Sequence, residues 1–277
     1  MAGTLTRSWE LVRETMSVLN KDKELLLFPV LSGIAVMVII ASFILPLLFT
    51  GIISQTVAPL LLVVLVFLFY FVSYFIVIFF NIGLISCAYI RLQGGNPTIG
   101  DGIRSAAGHI GQILIWTLIS ATVGLILSSI RNRGGLAGSL VSGLLGAAWS
   151  LVTFFVIPVM IFEDKTTIEA IGESWPLFKK TWGENIVGSV GLGIVLIPVI
   201  LMVIVTLFAA ITSSTLLIPL IVVLILLIGI CGVLYATLRG IFVAALYWYA
   251  KTGQVPGAFR VDFIAGAFVE KRQPGNI

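Results

Sequence analysis

The sequence predicts an all-α polytopic membrane protein: six transmembrane helices in three parallel repeats, each an interfacial amphipathic helix plus a helical hairpin. Three observations lead there. Of 277 residues, 59% are hydrophobic and 10% charged, against about 25% charged in a soluble domain. The mean hydropathy is +1.17. Six apolar stretches reach the length of about 20 residues that crosses a bilayer. They are Leu25–Phe49, Val57–Ile90, Ile110–Ile130, Leu136–Phe162, Ile186–Ile211 and Thr215–Ala250. So few charges cannot cover a water-soluble globule, which argues against a soluble enzyme, a nucleic-acid binder and a disordered chain.

The segment before the first span is charged and amphipathic. A cleavable signal instead has an apolar core of about 7–15 residues soon after a basic start. The run that follows is longer than such a core and lacks a small-residue cleavage site, so the N-terminus is expected to stay attached.

The linkers between spans alternate in character. Thr50–Thr56 carries no charge, Arg131 to Gly134 is short, and Thr212 to Ser214 is short and uncharged. These read as turns that close three hairpins. Nearly all the charge lies on the other side. It holds Arg7, Arg13, Lys21, Lys23, Arg91, Arg104, Lys165, Lys179, Lys180, Lys251, Arg260, Lys271 and Arg272, and every acidic residue. The positive-inside rule then places both termini in the cytoplasm of a cell in whose inner membrane the chain is a multi-pass protein. The basic pI of about 9.2 is thereby explained by orientation, with no nucleic-acid partner.

The second and sixth runs exceed a simple crossing. About 35 residues at about 1.5 Å each reach roughly 50 Å, against a hydrocarbon core of about 30 Å. Both begin near a proline, Pro59 and Pro219, a residue that the first helical turn tolerates. Counting inward, the core ends near Asn81 and Arg239. The remaining residues must tilt, run along the interface or project into the cytoplasm, and Tyr247, Trp248 and Tyr249 suit an interfacial belt.

An internal repeat organises these elements. Ser8-Trp9-Glu10-Leu11-Val12-Arg13-Glu14-Thr15 parallels Ser174-Trp175-Pro176-Leu177-Phe178-Lys179-Lys180-Thr181 as S-W-x-L-apolar-basic-x-T. Leu5, Trp9, Val12 and Met16 correspond to Ile171, Trp175, Phe178 and Trp182, with a weaker copy at Ile99, Ile103, Ala106 and Ile110. This spacing keeps each set on one helical face. Each stripe precedes an odd-numbered span, as expected for a helix lying in the interface. Thr98 with Asp101, and Thr166 with Glu169, resemble capping boxes. Gly94-Gly95-Asn96-Pro97 and Gly253-Gln254-Val255-Pro256 share the form G-x-x-P. The repeat units run about 1–97, 98–165 and 166–277 within a single transmembrane domain. All enter from one side, unlike the inverted pair of many secondary transporters.

Val156-Ile157-Pro158-Val159-Met160-Ile161-Phe162-Glu163-Asp164, then Glu169-Ala170-Ile171-Gly172-Glu173-Ser174-Trp175-Pro176-Leu177, resembles the membrane-domain family named after glycerophosphoryl diester phosphodiesterase, and related uncharacterised six-span proteins of bacteria and archaea. The shared pattern is a proline late in a span, an acidic residue at its end, then A-[IL]-x-x-S-[WF]-x-L on an amphipathic helix. The match covers about 30 residues. It implies a fold and no catalytic residue, because the phosphodiesterase activity belongs to a separate domain. Pro176 departs from the pattern. It lacks the amide a helix interior needs, so a break is expected between Ser174 and Leu177.

The candidate ligand or lipid contacts are Arg239, Asn81, Ser73 and Tyr74. A charge within a span is a functional hypothesis by default; the plain alternative is that Arg239 snorkels to the interface. Asn81 lies at a similar depth in the repeat alignment, and its plain reading is an interhelical hydrogen bond. Trp9, Trp175, Trp182 and Trp248 are the expected interfacial anchors. Glu163 and Asp164 end the fourth span and His109 ends a linker; the plain reading of all three is headgroup-level polar residues. Arg131 and Arg133 either contact outer-leaflet phosphates or are solvated turn residues. Gly135, Ser139, Gly143 and Ala147, with Gly138, Ser142 and Gly146 alongside, allow close helix approach within the bundle or in a homo-oligomer. Cys87 and Cys231 read as packing thiols, and no metal site, cofactor or catalytic constellation is expected.

The expected function is therefore a non-enzymatic multi-pass membrane protein that organises the bilayer or assists a protein partner. The alternative is a transporter-like protein for a lipid or apolar solute. A lipid-modifying enzyme would need polar groups such as Glu163, Asp164 and His109 to converge on one pocket.

Overall fold

The structure, a computed structural model, describes residues 2–49, 59–181, 192–212, 217–254 and 256–257, with backbone only for residues 2–11, 47–49, 59–60, 62, 180–181 and 211–212. Among these residues all regular structure is helical. Six stretches are long and apolar enough to cross a membrane: Lys23–Pro46, Val63–Leu92, Ile110–Arg133, Gly135–Phe162, Gly193–Ala210 and Leu217–Thr252. The expected all-α polytopic class is what the chain adopts.

Helix α1 covers Ala2–Lys21, and a 3-10 turn at Lys23–Leu26 leads into α2, Leu27–Phe49. Then come α3 (Pro59–Leu92), α4 (Ile99–Gly108), α5 (Ile110–Arg133), α6 (Gly135–Val152), α7 (Val156–Phe162) and α8 (Thr167–Thr181). A 3-10 turn at Gly193–Leu196 opens α9, Ile197–Thr212, and α10 spans Leu217–Thr252. The expected linker Thr50–Thr56, the anchor Trp182 and most of the linker Thr212–Ser214 lie outside the described residues.

Three boundaries differ from the sequence expectation. The fourth span is not one helix, because it breaks at Thr153–Phe155 between α6 and α7. Pro158 causes this: it has no amide for the carbonyl four residues back, and its ring crowds that carbonyl, so it is accepted only in the first turn of a new helix. The third linker is shorter than expected. Arg131 and Arg133 continue α5, where basic side chains favour the carbonyl end, and Gly135, at φ +55°, turns the chain directly into α6. The break expected at Pro176 is absent, and α8 runs through it. Pro176 is exposed, so the orphaned Gly172 carbonyl faces outward, while buried Phe178 holds the last turn in place through rings of Phe154 and Phe155.

The starts of α4 and α8 carry the expected capping boxes. Thr98 Oγ1 accepts from the Asp101 amide at 3.3 Å, and Asp101 accepts from the Thr98 amide at 2.9 Å. Thr166 and Glu169 repeat this at 3.4 and 3.0 Å. These hydrogen bonds from Thr98 and Thr166 hold both carboxyls below their usual range. The capping contribution is therefore complete above the ordinary carboxylate value and is lost as pH falls through the depressed folded values. We expect helicity at α4 and α8 to survive at pH 5 and to fray below about pH 4. Asp101→Asn combined with Glu169→Gln should flatten that acid transition in circular dichroism.

Contacts divide the chain into two compact units, one of Met1–Leu26, Ala88–Asn96 and Lys179–Ile277, the other of Leu27–Cys87 and Pro97–Phe178. In the first, α1 and α9 both pack on α10. Its core holds Val18, Leu25, Leu238, Ile241 and the fully buried Tyr247, with Tyr89 against Tyr247 and Trp248 at 6.1 and 5.5 Å between ring centroids. In the second, α5 and α6 form a hairpin in which Gly138 and Ser142 are buried and Trp116 stacks on Trp149 at 6.0 Å.

Both long helices change character part-way. In α3 every residue from Ile82 to Ala88 is buried, whereas Leu61, Val63 and Val64 are exposed. In α10 every residue from Thr237 to Tyr247 except Arg239 is buried, while Ile225, Leu226 and Ile230 are exposed. A helix buried on all sides needs protein around it, and one exposed and apolar needs lipid. The change falls next to Asn81 and Arg239, where counting inward from the prolines ends the membrane core. The glycine of each G-x-x-P then closes its helix with a left-handed residue, Gly94 at φ +86° and Gly253 at φ +68°, the conformation that glycine adopts without penalty.

Candidate functional site

A polar grouping of the second unit lies where the α4–α5 corner meets the α7–α8 corner. His109 is both the last cap of α4 and the first of α5, with no side-chain bond to the new helix. Its Nδ1 lies 2.7 Å from the Ser105 carbonyl. A carbonyl only accepts, so Nδ1 carries a proton and Nε2 is the free position. Nε2 lies 3.9 Å from Asp164 Oδ1, with the imidazole 16% and the carboxylate 89% exposed. Asp164 adopts φ +49°, a left-handed conformation that Asp and Asn accept more readily than other side chains. Across the same joint, Thr167 Oγ1 donates to the Gln112 carbonyl at 3.1 Å.

Lys165 extends the group. It pairs with Glu163 at 3.2 Å and with Glu173 of α8. Those two carboxylates, Glu173 foremost, hold its ammonium above the usual lysine range. The three residues therefore fold their charges onto one another at the mouth of α8. Of the residues that an enzymatic reading would require to converge, the structure brings His109 and Asp164 together and turns Glu163 toward Lys165.

The candidate ligand contacts sit elsewhere. Ser73 lies mid-way along α3; its Oγ is buried and has no hydrogen-bond partner among the described residues. Tyr74 is 40% exposed, its hydroxyl close to Gly124 of α5. Asn81 is half-buried where α3 changes character, and Arg239 is exposed on α10 between buried Leu238 and Gly240. Trp175 is exposed on α8 and stacks on Phe178 at 5.9 Å. Trp248 is half-buried beside Tyr89. Trp9 belongs to α1, and its side chain lies outside the described residues.

Sequence reasoning passed over two contacts. Arg91 staples the end of α1 to the end of α3. Its Nη1 donates to the Gly95 carbonyl and to Asn96 Oδ1, both at 3.1 Å, and Nη2 donates to the Lys21 carbonyl. Its Nε lies 3.7 Å from Asp22 Oδ2. Burial pushes the Asp22 carboxyl up, and Arg91 opposes that shift. A cleft of about 640 Å³ opens beside them, lined in part by Val18, Lys21 and Gln93. The other is Ser174, fully buried, whose Oγ accepts from the Phe155 amide at 2.9 Å. That amide is freed by the break before α7, so the serine of S-W-x-L satisfies it. A serine within an otherwise apolar stripe was the signal for it.

Residues 57–257 match a family of unknown function, DUF6159. The chain belongs to that family. The match runs from the start of α3 to the turn after α10, so it takes in the corner grouping, both changes of burial and the Ser174 contact. Comparison with curated proteins and with solved structures gave no match.

Proposed function

We propose that this DUF6159 member is a non-enzymatic organiser of the inner leaflet, with both termini cytoplasmic and its short helices lying in the headgroup layer. The observation that carries this reading is the placement of α8. Four residues separate it from the end of α7, and it exposes Ile168 and Trp175 seven positions apart on one face. A helix tethered so closely to a span lies at the membrane surface, and an exposed apolar face there meets lipid. The α4 helix follows the same plan, with Ile103 exposed and the span α5 beginning directly after His109. Ile103 corresponds to Trp175 at an offset of 72 positions, whereas the capping threonines Thr98 and Thr166 correspond at 68, one helical turn shorter. The resemblance of 156–177 to the phosphodiesterase-associated membrane domain supports the layout and transfers no activity.

Nitroxide labels at single cysteines replacing Ile168 and Trp175 test the placement in phosphatidylcholine–phosphatidylglycerol nanodiscs. Accessibility to oxygen should exceed that to a polar nickel complex, giving a depth of about 5–10 Å below the phosphates. A water-exposed pattern at both sites would overturn it.

One observation favours a second reading, a carrier for a lipid or apolar solute. The partnerless Ser73 Oγ lies inside a span that also holds Tyr74 and Asn81. On the oligomer, Gly138 and Ser142 are taken up within the α5–α6 hairpin, whereas Gly135, Ser139, Gly143 and Ala147 are exposed, which supports self-association through that second face.

A further inference from the structure

We infer that the two corners form a pH-operated latch, in which protonation of His109 ties Asp164, and with it the start of α8, to the start of α5. The chain has a single histidine, placed at the one-residue joint between α4 and α5. Its Nδ1–H is committed to the Ser105 carbonyl at 2.7 Å, so any further proton must enter at Nε2, the nitrogen that faces Asp164 at 3.9 Å. With Nε2 unprotonated, a lone pair faces a carboxylate and nothing binds. With Nε2 protonated, the same geometry becomes an ion pair across the joint.

The other charges near the joint are engaged with one another. On α4, Arg104 lies 4.0 Å from Asp101. On the linker, Glu163 pairs with Lys165, which also pairs with Glu173 of α8. The α5 helix brings no charge before Arg131. Asp164 is thus the charged group that the described contacts place on the imidazole. Its left-handed backbone gives the linker a fixed turn at the latch point. The sign follows from the protonated form gaining the pair: the latch closes when Nε2 takes up its proton and opens when that proton is lost. Thr167 Oγ1 on the Gln112 carbonyl is a second tie across the same joint, and it does not titrate. The latch does not depend on the lipid-organising reading.

Hydrogen exchange read by mass spectrometry on the full-length protein in phosphatidylcholine nanodiscs tests it, at pH 5.5 and 7.5 with intrinsic rates corrected. Amides 163–168 should exchange about threefold slower at the lower pH, the size expected of a partly exposed pair. Asp164→Asn, which keeps the left-handed turn, and His109→Gln should each remove that ratio. Thr167→Val should speed exchange at both pH values and keep the ratio. A wild-type ratio of one, or a ratio that persists in Asp164→Asn, overturns the latch. So does loss of the ratio in Thr167→Val, because the ratio would then report general loosening of the joint.

Discussion

Gly102→Ala should destabilise the protein by about 1–3 kcal/mol, the range for overpacking a filled interior, and Gly102→Val by more. The reason is local and severe. A Cβ at Gly102 would overlap Phe28 Cζ and would lie 2.8 Å from both Cys87 Sγ and the Gly83 carbonyl oxygen. Side chains can yield, but the Gly83 carbonyl belongs to the backbone of α3 in a stretch buried on every side. Gly83 is equally tight, with a Cβ there 2.6 Å from Phe28 and 3.3 Å from the Gly102 carbonyl. The two glycines thus let α4 lie directly on α3, with Phe28 of α2 wedged beside the crossing. Steric unfolding in mixed detergent and SDS would measure the loss. Phe28→Leu should rescue Gly102→Ala only in part, because it frees the ring contact and leaves the backbone contact. Full rescue would mean that the ring alone sets the spacing.

What the sequence made legible follows from which forces act locally. The spans were readable because lipid selects long apolar runs, and that signal does not depend on tertiary contacts. The capping boxes were readable because both partners lie within one turn. Proline position and helix rise put the expected end of the membrane core near Asn81 and Arg239, close to where the burial of α3 and α10 changes. The break at Thr153–Phe155 was not, although Pro158 is visible, because a proline kinks one span and splits another according to what satisfies the freed amide. Here Ser174 does so, from 19 residues away. The continuity of α8 through Pro176 was missed for the related reason that an exposed carbonyl needs no protein partner. Among the candidate residues, the meeting of His109 with Asp164 was open in the sequence but unsupported by it, since only the packing of two corners brings them together. Lys165 was counted as one of many cationic surface charges; its two carboxylate partners are local, at two and eight residues, and α8's helical register explains the second.

Ser174→Ala should cost about 1–3 kcal/mol, the range for removing one partner of a buried hydrogen bond, and should act on α7 and α8 together. Removing the hydroxyl takes away the acceptor that Ser174 offers the Phe155 amide, inside a fully buried contact where water does not reach to replace it. The change is small in volume, so cavity formation contributes little and the loss reads mainly on the hydrogen bond. Ser174→Thr keeps an acceptor but adds a methyl group to a filled site, and should fall between serine and alanine. Hydrogen exchange at Phe155 separates the causes: the amide should exchange faster in the alanine variant even where global stability is restored by lipid. The same contact bears on the repeat. Gly83 and Gly102 are 19 residues apart, as are Phe155 and Ser174, and the two pairs are displaced by 72 positions. One crossing is closed by the absence of a side chain, the other by a hydroxyl that reaches the partner backbone. If the two corners are copies of one unit, each position tolerates only what its partner backbone presents. Serine at 102 should then be too large for an intact α3, and glycine at 174 too small for a broken one. Gly102→Ser and Ser174→Gly should therefore both destabilise, despite each supplying the residue that its counterpart uses.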